Sequence, residues 1–345
     1  MSILYSVTGD LHNAAIGKLE TPIKMVIEHE SDLQTKKGGI ADWLFNIERS
    51  NRFGETIVGQ NEFGVFEAAA EGAGAASDSL EETYKKFIEH IQFMKEFTIT
   101  ARMMEDANYG VAADARRRAE NFTRAYYKTM HKICGYALSN GTATSGSFAG
   151  AILDLTAPDG LPLFSSSHTY GKTGAKGTQS NYFSGNMFES TASFEEALGL
   201  LASKIRNMKD ENGEVLGYTA DTIVLPGNRP VAETIVKKVC GSEGATGNGY
   251  NDINLQYGNW NIVVMPDWQT ADDRLMIMSS EANRNLGGNM FFNRVPLTVS
   301  NWIDHHTGNY IWNGRCRFGV GFGTYKHILL AVDSDTTVSG TEALR

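Results

Sequence analysis

The hydrophobic pattern is strongest over residues 111–139, where it predicts one long helix. Apolar residues recur every three or four positions from Val111 to Ala137, so they share one helical face. Asn140 and Gly141 follow as a stop signal. At about 1.5 Å per residue the helix would be roughly 45 Å long. It has no heptad repeat, so it needs a surface along its length, either its own domain or in part a neighbouring subunit.

The rest of the chain mixes helices and strands without regular alternation. Residues 98–108 predict a short helix capped by Thr98 or Thr100, and residues 194–213 predict a second long helix capped by Ser193. The remaining predictions are strands at 222–228, 259–268 and 273–280, a helix at 229–241, and several strands over 290–332. This order indicates an α+β fold.

Residues 1–47 predict an arm that docks on another surface. The patch IADWLFNI near its end would supply the docking residues Trp43, Leu44 and Phe45. The alternative interpretation is that this patch is a first core helix. Both follow from the same short apolar run, so the sequence leaves the choice open.

A long loop with few large side chains follows at residues 48–78. Strand-like pieces alternate with glycines, and a loop of this length is usually functional or disordered. Its phenylalanines, Phe53, Phe63 and Phe66, either fold back onto the domain or dock on another subunit. Residues 80–97 predict strands that return from this loop, although their spacing would also allow a helix.

Composition narrows the possible partners. The net charge of −9 excludes a protein-wide basic field for gripping DNA. The three cysteines have no paired spacing, which argues against a disulfide framework or a zinc site and fits a reducing compartment. We expect no membrane span, because no stretch approaches ~20 apolar residues, and no signal peptide, because the start lacks a basic and then apolar segment.

The triplet Gly171-Lys172-Thr173 is the most suggestive piece of candidate chemistry. It could end a phosphate-binding loop, but the first glycine of that motif would fall at Ser166. No apolar strand leads into the triplet, and glycines follow where a helix should begin. We therefore predict a polar loop and no cofactor.

Other candidate motifs are also better explained by structure than by catalysis. His305 and His306 are adjacent, so on a strand they would point to opposite faces and could not easily share a metal. The glycines of GVGFG at 319–323 precede a strand instead of a helix, which favours close strand packing over dinucleotide binding. The basic run 116–118 is either a solvated face or a partner for acidic groups of a neighbour. We predict that the chain is not an enzyme.

Four segments carry a resemblance to a known family. They are the loop and its return at 59–110, the long helix at 111–141, DGLPLFSSSHTY at 159–170 followed by QSN, and GYTADTIVLPGNRPVAETIV at 217–236. In this order they resemble major capsid proteins of tailed bacteriophages with the HK97-like fold, in particular the branch of the Mu-like major head subunit.

The resemblance implies a division of the chain. It implies an N-terminal arm at 1–47, an extended loop with return strands at 48–97, a peripheral domain at 98–213 that holds the spine helix, an axial domain at 214–290, and a return to peripheral strands and a tail at 291–345.

The resemblance also implies a role and partners. Copies of the chain would form hexamers and pentamers of an icosahedral shell around double-stranded DNA, which they would enclose without sequence-specific binding. The shell would assemble in the bacterial host cytoplasm and become part of the virion. The short arm implies either a separate scaffolding protein or an N-terminal piece that has already been removed. A portal and possible decoration proteins are further implied partners. The absence of lysine from residues 50–78 predicts no covalent cross-linking from that loop.

Two sets of residues are predicted to serve this role. The contacts between subunits are expected at Trp43, Phe45, Arg49, Arg52, Phe53, Phe63, Phe66, Arg116, Arg117 and Arg118. The tip loop of the axial domain is expected at Ser242, Glu243, Asn248 and Tyr250.

Three other functions remain open from sequence. The first is a shell of the encapsulin type that encloses cargo enzymes. The second is a nucleotide-hydrolysing enzyme that uses residues 171–173. The third is a tail or adhesin protein that forms fibres, tubes or trimers.

Overall fold

A computed structural model describes residues 4–7, 14–60, 68, 82–105, 110–171, 176–241, 254, 256–333 and 342–343. The helices are α1 (Ala14–Lys37), α2 (Ile40–Leu44), α3 (Ala101–Glu105), α4 (Gly110–Ser139), α5 (Thr191–Arg206), α6 (Pro230–Gly241) and α7 (Ser280–Asn285). The predicted α+β class is confirmed.

Within the residues that the structure describes, the strands make up five sheets. The strands are β1 (Leu4–Val7), β2 (Asn46–Arg49), β3 (Gly54–Gln60), β4 (Glu82–Glu89), β5 (Ile91–Ile99), β6 (Ser145–Phe148), β7 (Ala151–Asp154), β8 (His168–Tyr170), β9 (Gly177–Gln179), β10 (Tyr182–Gly185), β11 (Thr222–Pro226), β12 (Asn261–Met265), β13 (Arg274–Met278), β14 (Asn289–Ile303), β15 (Tyr310–Phe322), β16 (Ile328–Asp333) and β17 (Glu342–Ala343). Two of the sheets are large, and β3–β4, β6–β7 and β8–β9 form two-stranded sheets.

The first core lies between α4 and a five-stranded sheet. The sheet has the order β1-β14-β15-β5, and β2 also pairs with β14. The apolar face of α4 supplies Ala119, Phe122 and Ile133 to this core. Phe97 of β5 packs against the helix, with its ring centre 5.2 Å from the ring centre of Phe122. The predicted long helix is confirmed, and most of its apolar face packs on its own domain.

The second core belongs to a six-stranded sheet of order β12-β11-β13-β16-β10-β17. Helices α5 and α6 cover it with Phe194, Leu201 and Val236. Every residue of β11 is buried, as expected for a central strand with an uninterrupted apolar run. Strands β10, β16 and β17 of this sheet and the covering helix α5 lie outside 214–290. The second core therefore uses more of the chain than the range predicted for the axial domain.

The predicted arm contains a long helix that the sequence did not indicate. Ile23 and Ile27 of α1 are buried in the first core, and the Ser31 hydroxyl lies 2.6 Å from the Tyr127 hydroxyl of α4. The apolar face of α1 is short, and Pro22 lies inside the helix. The helix is therefore held by contacts with α4 and not by a strong periodic pattern of its own.

The short patch after α1 forms the core helix of the alternative interpretation. Leu44 is fully buried and Phe45 is only 5% exposed. The prediction that Phe45 contacts another subunit is therefore corrected, because its own core already covers it. Trp43 lies on the opposite side of α2 and is exposed.

Helix caps follow the predicted chemistry with one shift. The Thr100 hydroxyl accepts from the Met103 amide at 3.3 Å, which confirms Thr100 as the cap of α3. Helix α5 begins earlier than predicted, because Ser190 and not Ser193 is its cap. The Ser190 hydroxyl accepts from the Ser193 amide at 3.1 Å.

Candidate functional site

The candidate site is the hairpin of β3 and β4 together with the surface beneath it. The two strands pair from Gly54–Glu89 outward and form a sheet of their own. A two-stranded hairpin is at best marginally stable alone in water, so it needs contacts outside itself. The predicted return strands over 80–97 are confirmed as β4 and β5. The predicted residues Phe63 and Phe66 lie outside the described part of the chain.

Two glycines of β15 and the glycine that follows this strand form the seat of the hairpin. We call Gly319, Gly321 and Gly323 the glycine seat. A β-carbon at Gly321 would lie 2.5 Å from Cδ1 of Ile88, and one at Gly319 would lie 2.8 Å from the carbonyl oxygen of Glu89. Only hydrogen fits at these positions, so the glycines let β4 approach β15 closely. The prediction of close strand packing at 319–323 is confirmed.

Apolar side chains fill the space beside the glycine seat. Ile88 of β4 packs with Met290 and Phe292 of β14, and Ile57 of β3 packs against this cluster. The three buried members lie apart from the two larger cores. The described part of the hairpin therefore lies on its own chain, through an apolar contact that is separate from both cores.

A buried lysine adds a polar contact to the hairpin. Lys86 of β4 donates to the Asp154 carboxylate of β7, and its side chain is almost fully buried. Burial is the largest single influence and raises the pKa of Asp154, but the hydrogen bonds from Lys86 and Thr156 and the charge of Lys86 together outweigh it, so the pKa is lowered. Sequence analysis missed this residue, since a lysine within a charged stretch gives no sign that it folds inward.

Large apolar side chains remain exposed at the base of the hairpin. Phe53 is 63% exposed and Phe87 is 50% exposed, and their rings stack at 6.5 Å between centres. The Arg317 guanidinium lies 5.2 Å from the ring centre of Phe53. Phe53 thus folds back onto its own domain with one face and presents the other to solvent.

The other predicted contact residues fall into two groups. Trp43, Arg49, Arg52 and Arg117 are exposed. Arg116 and Arg118 form ion pairs with Glu120 and Asp114 of their own helix. The predicted tip residues Ser242, Glu243, Asn248 and Tyr250 lie outside the described residues.

The Gly171 amide faces an anion of the protein itself. Its N–H donates to the Glu211 carboxylate at 2.7 Å, and the other Glu211 oxygen pairs with Lys326. A phosphate-binding loop would present this amide to a phosphate, which the carboxylate would repel. Lys172 and Thr173 lie outside the described residues.

The segment 159–170 is organised around a buried histidine. The His168 ring lies 2.7 Å from the Asp159 carboxylate and 3.1 Å from the Leu163 carbonyl oxygen. It also stacks flat on Tyr325 at 3.8 Å. This histidine holds the connection after β7 onto Tyr325, which lies between β15 and β16, and no periodic signal in the sequence indicates it.

The described residues also bear on two further features, metal sites and membrane-spanning helices. Over the residues that the structure describes, no group of three or more histidine, cysteine, aspartate or glutamate side chains could hold a metal ion. No described helix is both long enough and apolar enough to cross a membrane.

Comparisons with known proteins gave matches among solved structures. No family model and no curated protein matches the chain. A structure from Mycobacterium phage Patience is 16% identical, with 98% of this chain and 94% of that chain covered and a TM-score of 0.45. The capsid of Myoviridae Phage XM1 is 13% identical, with 86% and 92% covered and a TM-score of 0.49. A virus-like particle from Pyrococcus furiosus is 7% identical, with 90% and 98% covered and a TM-score of 0.46.

Proposed function

We propose that this chain is the major capsid protein of a tailed bacteriophage, a subunit that assembles with copies of itself into a closed shell. The observation that carries the proposal is the order of elements: the two-stranded hairpin of β3 and β4, then β5, the short helix α3, and the 30-residue helix α4, which packs on a sheet. The resemblance in sequence predicted this order for the HK97-like fold.

The surface of the single chain also supports a role in assembly. Side chains that a compact monomer would normally cover are exposed on several elements: Met25, Leu33, Trp43, Phe53, Phe87, Met94 and Trp302. Apolar surface of this kind marks contacts between proteins when it is grouped. Phe53 and Phe87 are grouped at the hairpin base, so we assign them to a contact between subunits, together with Trp43.

The proposal includes the finer features that the resemblance implies. The subunits would form hexamers and pentamers and enclose double-stranded DNA in the virion, after assembly in the host cytoplasm with a scaffolding protein and a portal. The net charge of −9 agrees with a wall that does not hold DNA phosphates tightly. Membership of the Mu-like branch stays a prediction, and we assign no catalytic activity to the chain.

Electron microscopy of the purified chain tests the proposal. We expect closed shells, or rings of five and six subunits, when the chain is expressed with a scaffolding protein from its own gene neighbourhood. Shells that contain an enzyme and no DNA in the native host would favour a cargo compartment instead. Fibres, or a persistent monomer under all these conditions, would refute a shell subunit.

A pair of matched variants tests the contact residues. Phe53→Ser with Phe87→Ser should leave a folded subunit that forms few shells. Val231→Ser on α6, where Val231 is 63% exposed, removes a similar exposed side chain away from the hairpin and should assemble normally. Normal assembly of the double variant would exclude the hairpin base as a contact while leaving the shell function intact.

A further inference from the structure

The hairpin joins the body of the protein through a corner at His90. The pairing of β5 with β15 runs beside that strand as far as Ile91, which pairs with Phe318. Two residues before His90, the Ile88 side chain already lies over the face of β15, at Gly321. His90 is the only residue between β4 and β5. The chain therefore passes from the edge of β15 to its face at this one residue.

The hydrogen bonds of His90 determine which ring nitrogen donates. The Ser50 hydroxyl donates to the Glu55 carboxylate at 2.6 Å, so it has no second proton to offer. His90 Nε2, 2.7 Å from the same hydroxyl, must then be the donor. In the neutral ring this leaves Nδ1 without a proton.

That bare nitrogen has no partner. Nδ1 of His90 is buried and makes no hydrogen bond among the described residues. It faces the glycine seat, where a β-carbon at Gly319 would lie 2.8 Å from it. A proton added to Nδ1 would create a buried donor with no acceptor, which is costly.

Charged groups around His90 oppose a second proton. The positive charges of Arg317 in β15 and Arg294 in β14 disfavour the protonated ring. The carboxylate of Glu55 in β3 favours it. Burial and the charge of Arg317 hold the pKa of His90 below its ordinary value.

We propose that His90 is a pH-sensitive hinge: while it is neutral the β3–β4 hairpin stays on the glycine seat, and protonation of its Nδ1 releases the hairpin from the seat. Release separates Ile57 and Ile88 from the seat and breaks the contact of Lys86 with Asp154. The buried members of the two large cores do not include these residues. The hinge rests on contacts within one chain, so it stands or falls independently of the shell function.

The sign of the effect follows from the lowered pKa. In the released hairpin His90 would titrate near its ordinary value of about 6.5. Above that pH neither state binds the proton, and docking is unaffected. Below it the released state binds a proton that the docked state refuses, so the ratio of docked to released hairpin falls up to about tenfold per pH unit. The fall ends at the lowered pKa of the docked state.

Hydrogen exchange of the folded subunit tests the hinge, with rates corrected for the pH dependence of an unstructured peptide. We expect protection of residues 54–60 and 82–89 to drop as pH falls from about 7.5 to about 5, while β13 keeps its protection. His90→Asn can still donate to Ser50 but does not titrate, so its hairpin should show no such drop. Constant protection in the native chain, a drop in His90→Asn, or a parallel drop in β13 would each overturn the proposal.

Two neighbouring substitutions test the same hinge without touching His90. Arg294→Gln removes an opposing charge, so the hairpin should keep more protection than the native chain at about pH 5. Glu55→Gln removes the favourable charge while it keeps an acceptor for Ser50, so its hairpin should keep less. Equal protection in both variants, or shifts in the same direction, would contradict the proposal even if His90→Asn did not fold.

Discussion

The Asp159–His168 pair makes a quantitative prediction about stability. Both ring nitrogens of His168 face acceptors, the Asp159 carboxylate and the Leu163 carbonyl oxygen, and both can donate at once only when the ring carries two protons and a positive charge. The ring is fully buried, and among the described residues Asp159 is the carboxylate that hydrogen-bonds to it. The flat contact with Tyr325 places an aromatic face against the ring.

Removal of the carboxylate should therefore leave a buried charge without its counter-ion. We expect Asp159→Ala to lower the free energy of unfolding by about 3–5 kcal/mol, the cost typical of a broken buried pair. Asp159→Asn keeps an acceptor and loses only the charge, so it should cost about 1–3 kcal/mol. The double variant His168→Phe with Asp159→Leu removes both charges, retains the stacking on Tyr325, and should recover most of the loss.

Urea denaturation followed by tryptophan fluorescence, on unassembled subunits, measures these differences. The acid dependence gives a second readout. Burial raises the pKa of Asp159, but the hydrogen bond and charge of His168 lower it further, so it ends below its ordinary value. Its contribution is then present above about pH 4 and is lost as pH falls through the lowered pKa. A cost below about 1 kcal/mol for Asp159→Ala, or a double variant less stable than it, would refute a charged pair.

Three further predictions concern single positions. Gly321→Ala should push Ile88 out of the glycine seat, which would lower the free energy of unfolding by about 1–3 kcal/mol and reduce the hydrogen-exchange protection of β4. Adding Ile88→Ala in the same chain should restore part of that loss of stability. Purely additive effects of the two substitutions would exclude a contact between residues 88 and 321. Ala149 has a φ of 50° in the β6–β7 turn, so Ala149→Asn should raise the free energy of unfolding by about 0.5–1 kcal/mol in urea, and a loss would argue against strain there. Burial lowers the pKa of His327 to about 3. Below about pH 6.5 this histidine therefore favours the unfolded state by up to about 1.4 kcal/mol per pH unit. In urea titrations the free energy of unfolding of His327→Gln should fall less steeply with acid than that of the native chain, and an unchanged slope would contradict this.

The elements with strong local hydrophobic patterns could be predicted from the sequence alone. Helix α4 was predicted within one residue at its start, because its apolar positions repeat at helical spacing over the whole length. The stripe of α5 and the apolar runs of β11 and β13 were equally clear. The close packing of 319–323 could also be predicted from the local sequence. These glycines precede a strand and not a helix, so there is no helix N-terminus to bind an anion, and close strand packing is the remaining explanation for them.

Other features depended on contacts between distant parts of the chain. Helix α1 has a weak pattern of its own and is held by α4. Phe45, directly after α2, is buried, whereas Trp43 within α2 is exposed. Lys86, His90 and His168 are ordinary polar residues in the sequence. Each becomes significant only where folding buries it opposite a particular partner, and the free energy of a buried polar group depends on that partner and not on the adjacent residues.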